Sequence, residues 1–230
     1  MALIVATAAL ALAGLALAFP VPAAAACPTC FGFVPVDGDI FVDSTMPSEV
    51  RLQTERLVER ARQRVEAFYG GLTGAPDILV CANEACYRRL HGGNSRGMAL
   101  STFALVLSPR GASETIAAHE LSHIELHSRL GVWRAYRGAI PAWFDEGLAV
   151  LVSDDSRYLT RNNSGDRCRV FSNEPLPLTQ RNWVRRADDR LYAVAACRVD
   201  RWMTAHGGRD GLARLVRQVA EGADFATAMQ

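Results

Sequence analysis

His119-Glu120-Leu121-Ser122-His123, inside the run from Ser113 to Gly131, is the stretch whose reading decides the fold. Histidines four apart fall on one face of a helix, where both imidazoles can grip one metal ion. Glu120 lies beside that pair, placed to act on water at the metal rather than to bind it. The flanks spell a helix: Ser113 suits its cap, Glu114 complements the positive N-terminal end, and Gly131 suits its termination after Arg129-Leu130. Two imidazoles are an incomplete ligand set, so a third ligand is required downstream.

Glu146 stands in Pro141-Ala142-Trp143-Phe144-Asp145-Glu146-Gly147-Leu148-Ala149. Pro141 suits the first turn of a second helix, and Gly131 with Gly138 lets the chain turn back before it. A second helix packed on the first can project Glu146 toward the imidazoles. Two histidines, one glutamate and an open fourth position form a catalytic zinc arrangement.

HELSH followed by WFDEGLA resembles the gluzincin metallopeptidases, in particular the compact peptidase-MA-like members. The resemblance covers about residues 47–225 and is specific only at 119–123 and 141–149. It implies Zn2+ held by His119, His123 and Glu146, with Glu120 as general base in peptide-bond hydrolysis. It also implies a tyrosine at the start of the helix after the third ligand, whose hydroxyl stabilises the transition state. Tyr192 fits that place, with Tyr158 as runner-up; an aromatic half in the core explains Tyr192 equally well. Some gluzincins carry an aspartate four residues after the third ligand, to orient a zinc histidine. Here that position is Val150, which argues against the thermolysin-type subgroup and leaves the task to another group, such as a backbone carbonyl.

Competing readings are weaker. A metzincin would need glycine and histidine where this chain has Leu126 and Arg129. His127 sits about 6 Å further along the helix axis than His123, which suits a supporting or surface role rather than ligation. Asp145 reads as a solvent-facing or helix-N-terminal charge. An amphipathic helix with two polar-face histidines explains HELSH alone, but not its conjunction with WFDEGLA.

Residues 2–19 are almost wholly apolar and precede Pro20-Val21-Pro22 and four alanines, a small-residue cleavage zone. The run is short and Ala-rich for a spanning helix, and no positive charge precedes it. Residues 1–26 therefore read as a signal peptide or N-terminal anchor, and 27–230 as a single domain. Cleavage after Ala26 would expose Cys27, although Ala24 stands where a lipobox carries leucine. The six cysteines all follow the apolar leader, and an even count in an exported chain points to disulfides. Connectivity is open; the preferred pairs are Cys27 with Cys30, Cys81 with Cys86 as a loop staple, and Cys168 with Cys197. Cys27-Pro28-Thr29-Cys30 lacks the strand–helix–strand setting of a redox motif, and the spacing from Cys81 to Cys86 is wrong for a zinc ribbon.

The 25 basic residues, all arginine, nearly balance the 24 acidic ones, so no basic excess marks a nucleic-acid protein. Alanine and arginine without lysine suggest GC-rich bacterial coding, which says nothing about function.

The coarse pattern is α+β: a zincin-like domain with a small mixed sheet packed on the HExxH helix and further helices at the C-terminal end. Ile40-Phe41-Val42 reads as extended. Pro47-Ser48 opens a helix with Val50, Leu57, Ala61, Val65 and Phe68 as its apolar stripe, closed by Gly70-Gly71. Pro76 to Cys81 and Met98 to Leu107 read as strands. The second is equally a core strand or an edge able to pair with an extended peptide. Residues 154–190 form an irregular excursion over the site. A helix from Leu191 has Tyr192, Val194, Ala195, Val199, Trp202 and Met203 on a face suited to burial, and Leu212 to Val219 forms another.

The expectation is an exported zinc peptidase acting on a peptide or protein substrate. It has no nucleic-acid partner, touches the membrane only through an uncleaved leader or lipidation at Cys27, and acts as a monomer. The alternative is an exported zinc-containing binding or envelope-assembly module of weak activity. Cleavage specificity and endo- versus exopeptidase action are not encoded in any motif.

Overall fold

A computed structural model describes residues 17–160 and 167–230, together with Gly14. Among the described residues the fold is mixed α+β, with ten α-helices and one five-stranded sheet. Its strands are β1 (Phe33–Asp37), β2 (Ile40–Asp43), β3 (Asp77–Val80), β4 (Gly97–Leu100) and β5 (Ala104–Leu107), in the spatial order β1-β2-β3-β5-β4. The inner pairings β2–β3 and β3–β5 are parallel; β1–β2 and β4–β5 are antiparallel.

The apolar runs in β3 and β5 lack polar alternation because both faces of the sheet are buried. Ile78, Val80, Leu105 and Leu107 enter the main core, while Leu79 and Val106 enter a second cluster on the opposite face. Two short helices, α1 (Pro20–Ala26) and α3 (Glu84–Arg89), close that second cluster through Ala24, Cys86 and Tyr87.

The main core is built on α2 (Ser48–Tyr69), α4 (Glu114–Leu130), α6 (Ala142–Ser153) and α8 (Asp189–Ala205), each packed on the next. Between them run α5 (Val132–Tyr136) and α7 (Gln180–Arg186), and α9 (Gly208–Glu221) and α10 (Phe225–Ala228) complete the described chain. Gly147 makes the α6–α8 crossing close, since a Cβ there would lie 2.6 Å from the backbone carbonyl group of Ala195. Rigid backbone on both sides cannot yield as a side chain would. Gly147→Ala is therefore expected to destabilise the fold by about 3 kcal/mol, the upper end for overpacking. A urea-unfolding midpoint indistinguishable from wild type would contradict this packing.

Three expectations need correction. Met98 to Leu107 is a hairpin rather than one strand. Ser101 adopts φ +51°, the Phe103 amide donates to the Leu100 carbonyl at 3.0 Å, and Phe103 is exposed. β5 is thus paired on both sides, and of the two hairpin strands β4 is the one at the edge of the sheet. The buried stripe of α2 runs through Thr54, Val58, Ala61 and Val65, leaving Val50 exposed, because the 54-58-61-65 spacing is the one aligned with the core. Residues 154–190 also contain a helix, α7, capped by Thr179.

The cysteines pair as Cys27–Cys30, Cys81–Cys86 and Cys168–Cys197, compatible with an oxidising, exported compartment. Most of the apolar run at 2–19 lies outside the described residues, and the expected cleavage zone forms α1, where Pro20 and Ala24 are buried. No helix among the described residues is long and apolar enough to cross a membrane.

Candidate metal centre

The sequence signals at both ends of α4 act as read. The Ser113 hydroxyl accepts the Ile116 amide at 3.3 Å, and Gly131 ends the helix at φ +83°. Glu114 is tied to α2 as well, through ion pairs with Arg60 at 2.9 Å and with Arg64. His119 and His123 share one buried face, their ring centroids 4.9 Å apart.

α6 begins at Ala142, with Pro141 just outside it as the capping residue, and carries Glu146 to the two imidazoles. Glu146 Oε2 lies 3.4 Å from His119 Nε2 and 3.7 Å from His123 Nε2. One donor atom from each residue falls within 4.8 Å of the other two. Glu146 Oε2 is buried and accepts no hydrogen bond. An orphaned carboxylate oxygen facing two imidazole nitrogens is costly unless a cation completes it. This donor set could hold a metal ion, and no other such cluster occurs among the described residues.

The carboxylate is held from behind. Gln180, at the first residue of α7, donates its amide to Glu146 Oε1 at 3.1 Å. Burial opposes ionisation of Glu146, but the His119 and His123 interactions outweigh it and hold the carboxyl below its usual range.

Asp145 departs from its expected role. It is largely buried and bridges two histidines: Oδ1 lies 2.6 Å from His123 Nδ1 and Oδ2 lies 2.9 Å from His127 Nε2. With the Nδ1–H of His123 donated to Asp145, its Nε2 lone pair is directed at the metal position. The carboxylate beside His123 thus precedes the candidate third ligand, whereas Val150 stands at the position four residues after it. His127 supports Asp145 and does not join the ligand set. Burial lowers the pKa of His123, but Asp145, then Glu146 and Glu120, reverse that and push it up to about 10.

Glu120 is half-buried on α4 against β4. A Cβ at position 97 would meet the Glu120 side chain at 2.7 Å, so a larger residue there would have to displace Glu120. Burial raises the Glu120 pKa; His119, His123 and the Ala99 amide pull it back, and Glu146 adds to the rise. A carboxyl poised above its usual range is suited to accepting and returning a proton.

Tyr192 packs edge-on to His119 at 6.2 Å, stacked on Tyr158 at 5.0 Å and edge-on to Trp183 at 5.1 Å. Burial first, then the Glu146 charge, pushes its hydroxyl above the usual tyrosine range, which keeps it a neutral donor. Tyr158 sits one ring further out, with the Arg157 guanidinium 4.8 Å from its ring centre. Tyr192 is thus the tyrosine that the fold brings to the histidines.

These groups open into a cleft of about 880 Å³. β4, from Gly97 to Leu100, forms one wall; Leu178, Gln180, Trp183 and Val184 form part of another. Gln180, Trp183 and Gly97 carried no signal legible beforehand. Asp145 with His127 did: a third histidine at helical spacing and a carboxylate beside the candidate ligand. Comparisons of the chain with protein-family profiles, with curated proteins and with solved structures return no match.

Proposed function

We propose that the chain is an exported zinc peptidase of gluzincin type. The observation that carries this reading is Glu120 beside the His119–His123–Glu146 cluster, facing a cleft whose wall is the free edge of β4. When bound, zinc supplies a Lewis acid that polarises a carbonyl and acidifies water. His119, His123 and Glu146 hold it, with Asp145 fixing the tautomer of His123.

An extended substrate strand pairs with the outer edge of β4, which sets the scissile amide across the cleft. Glu120 removes a proton from the attacking water as the new C–O bond forms at the carbonyl carbon. The Tyr192 hydroxyl donates to the developing oxyanion. Glu120 then returns the proton to the amide nitrogen, and the C–N bond breaks to release an amine and a carboxylic acid. Export fits the three disulfides.

The test combines elemental analysis with digestion of a denatured protein. About one zinc per oxidised chain, and fragments that disappear on chelation and return with zinc, are expected. A zinc-loaded protein that produces no fragments from any denatured substrate would overturn the peptidase reading in favour of a binding module. A folded protein that takes up no zinc would overturn the metal reading too.

A further inference from the structure

The third ligand is held by a segment that sequence analysis treats as an irregular excursion. Pro141 caps α6 with no side-chain hydrogen bond, so the first amides of α6 need partners from elsewhere. They find them in the excursion: the Ala142 amide donates to the Leu178 carbonyl at 3.0 Å, and the Trp143 amide donates to the Pro177 carbonyl at 3.2 Å. Two residues on, Thr179 caps α7, which turns the chain so that Gln180 reaches Glu146 Oε1. Buried Trp183 fastens α7 against Tyr192.

We propose that Gln180 is a positioning residue that decides which oxygen of Glu146 meets the metal. An amide N–H on Oε1 leaves Oε2 as the oxygen directed at both imidazoles, and Oε2 is the atom without a hydrogen bond. Gln180 thereby selects ligation through one oxygen and stops the carboxylate rotating. The backbone bonds to Ala142 and Trp143 keep that amide in register with Glu146, because they tie the residues just before Gln180 to the start of the helix that carries Glu146. The same segment presents Leu178 and Val184, both exposed, to the cleft.

The inference rests on the metal reading but not on peptidase activity, and its test needs no substrate. Zinc affinity is measured by chelator competition on the full oxidised chain carrying Gln180→Leu or Gln180→Glu, with Arg185→Ala as a control on the exposed face of α7. Gln180→Leu removes the donor, and Gln180→Glu keeps the shape while setting a carboxylate against a carboxylate. Both are expected to weaken zinc by about tenfold to a hundredfold, the range for loss of a group that orients a ligand. Arg185→Ala should stay within about twofold of wild type. Unchanged affinity in Gln180→Glu would overturn the proposal, as would an equal loss in Arg185→Ala, which would mark a general weakening of α7. Should Gln180→Leu fail to fold, Gln180→Glu decides alone. Wild-type protein that binds no zinc would remove the metal reading beneath it.

Discussion

Glu120→Gln is expected to retain about one zinc per chain and to lose hydrolysis of a denatured protein substrate by about three orders of magnitude or more. The size follows from the general acid–base contribution of about 10²–10⁴-fold, removed here in both of its uses. Glutamine keeps the shape of the side chain against Gly97 but cannot take the proton from water. The substitution also removes a half-buried carboxyl whose ionisation burial opposes, so the fold should tolerate it. Glu120 is absent from the ligand cluster, and zinc content should not change. The pairing of two readouts gives the experiment its force: retained metal with lost turnover is the signature of a base. Turnover within about tenfold of wild type would sink the peptidase reading.

Glu146→Ala is expected to have its largest effect on the metal itself. Wild-type protein should retain zinc through gel filtration, whereas Glu146→Ala should emerge with little. Its affinity by competition should fall by more than the tenfold to hundredfold typical of an outer partner. The cause is more than one missing bond. Loss of the carboxylate leaves His119 and His123 as an incomplete pair and strands the Gln180 amide, whose acceptor at 3.1 Å has gone. Its effect on the fold should be smaller, because the position is ringed by polar groups and Gly147, not Glu146, makes the helix crossing. Zinc retained at wild-type stoichiometry in this variant would place the third ligand elsewhere and undo the His2Glu assignment.

Legibility in the sequence followed the range of the interaction. The α4 helix was readable from Ser113, the four-residue histidine spacing and Gly131, all local effects of backbone geometry and capping. The disulfide pairs agree with the preferred ones, two of them within short loops. The structure departs from the local pattern where that pattern admits two tertiary outcomes. An apolar run from Met98 to Leu107 suits one long strand or two short ones, and the φ of Ser101 decides for two. Val50 and Val58 fit stripes of α2 equally well until the position of the core is known, and Val58 is the one buried.

The metal centre divides along the same line. By itself the sequence determined that His119 and His123 share a face with Glu120 beside them, because residues four apart on a helix meet whatever surrounds it. It also marked Glu146 as the candidate third ligand. Only the tertiary structure decided that Glu146 reaches the imidazoles, that Asp145 turns inward to orient His123, and that Gln180 arrives from the excursion to hold the carboxylate. Those contacts join positions 22 and 34 residues apart. They depend on α6 lying close to α4 and α8, and that approach is a property of packed surfaces, such as Gly147 on Ala195, which no single segment contains.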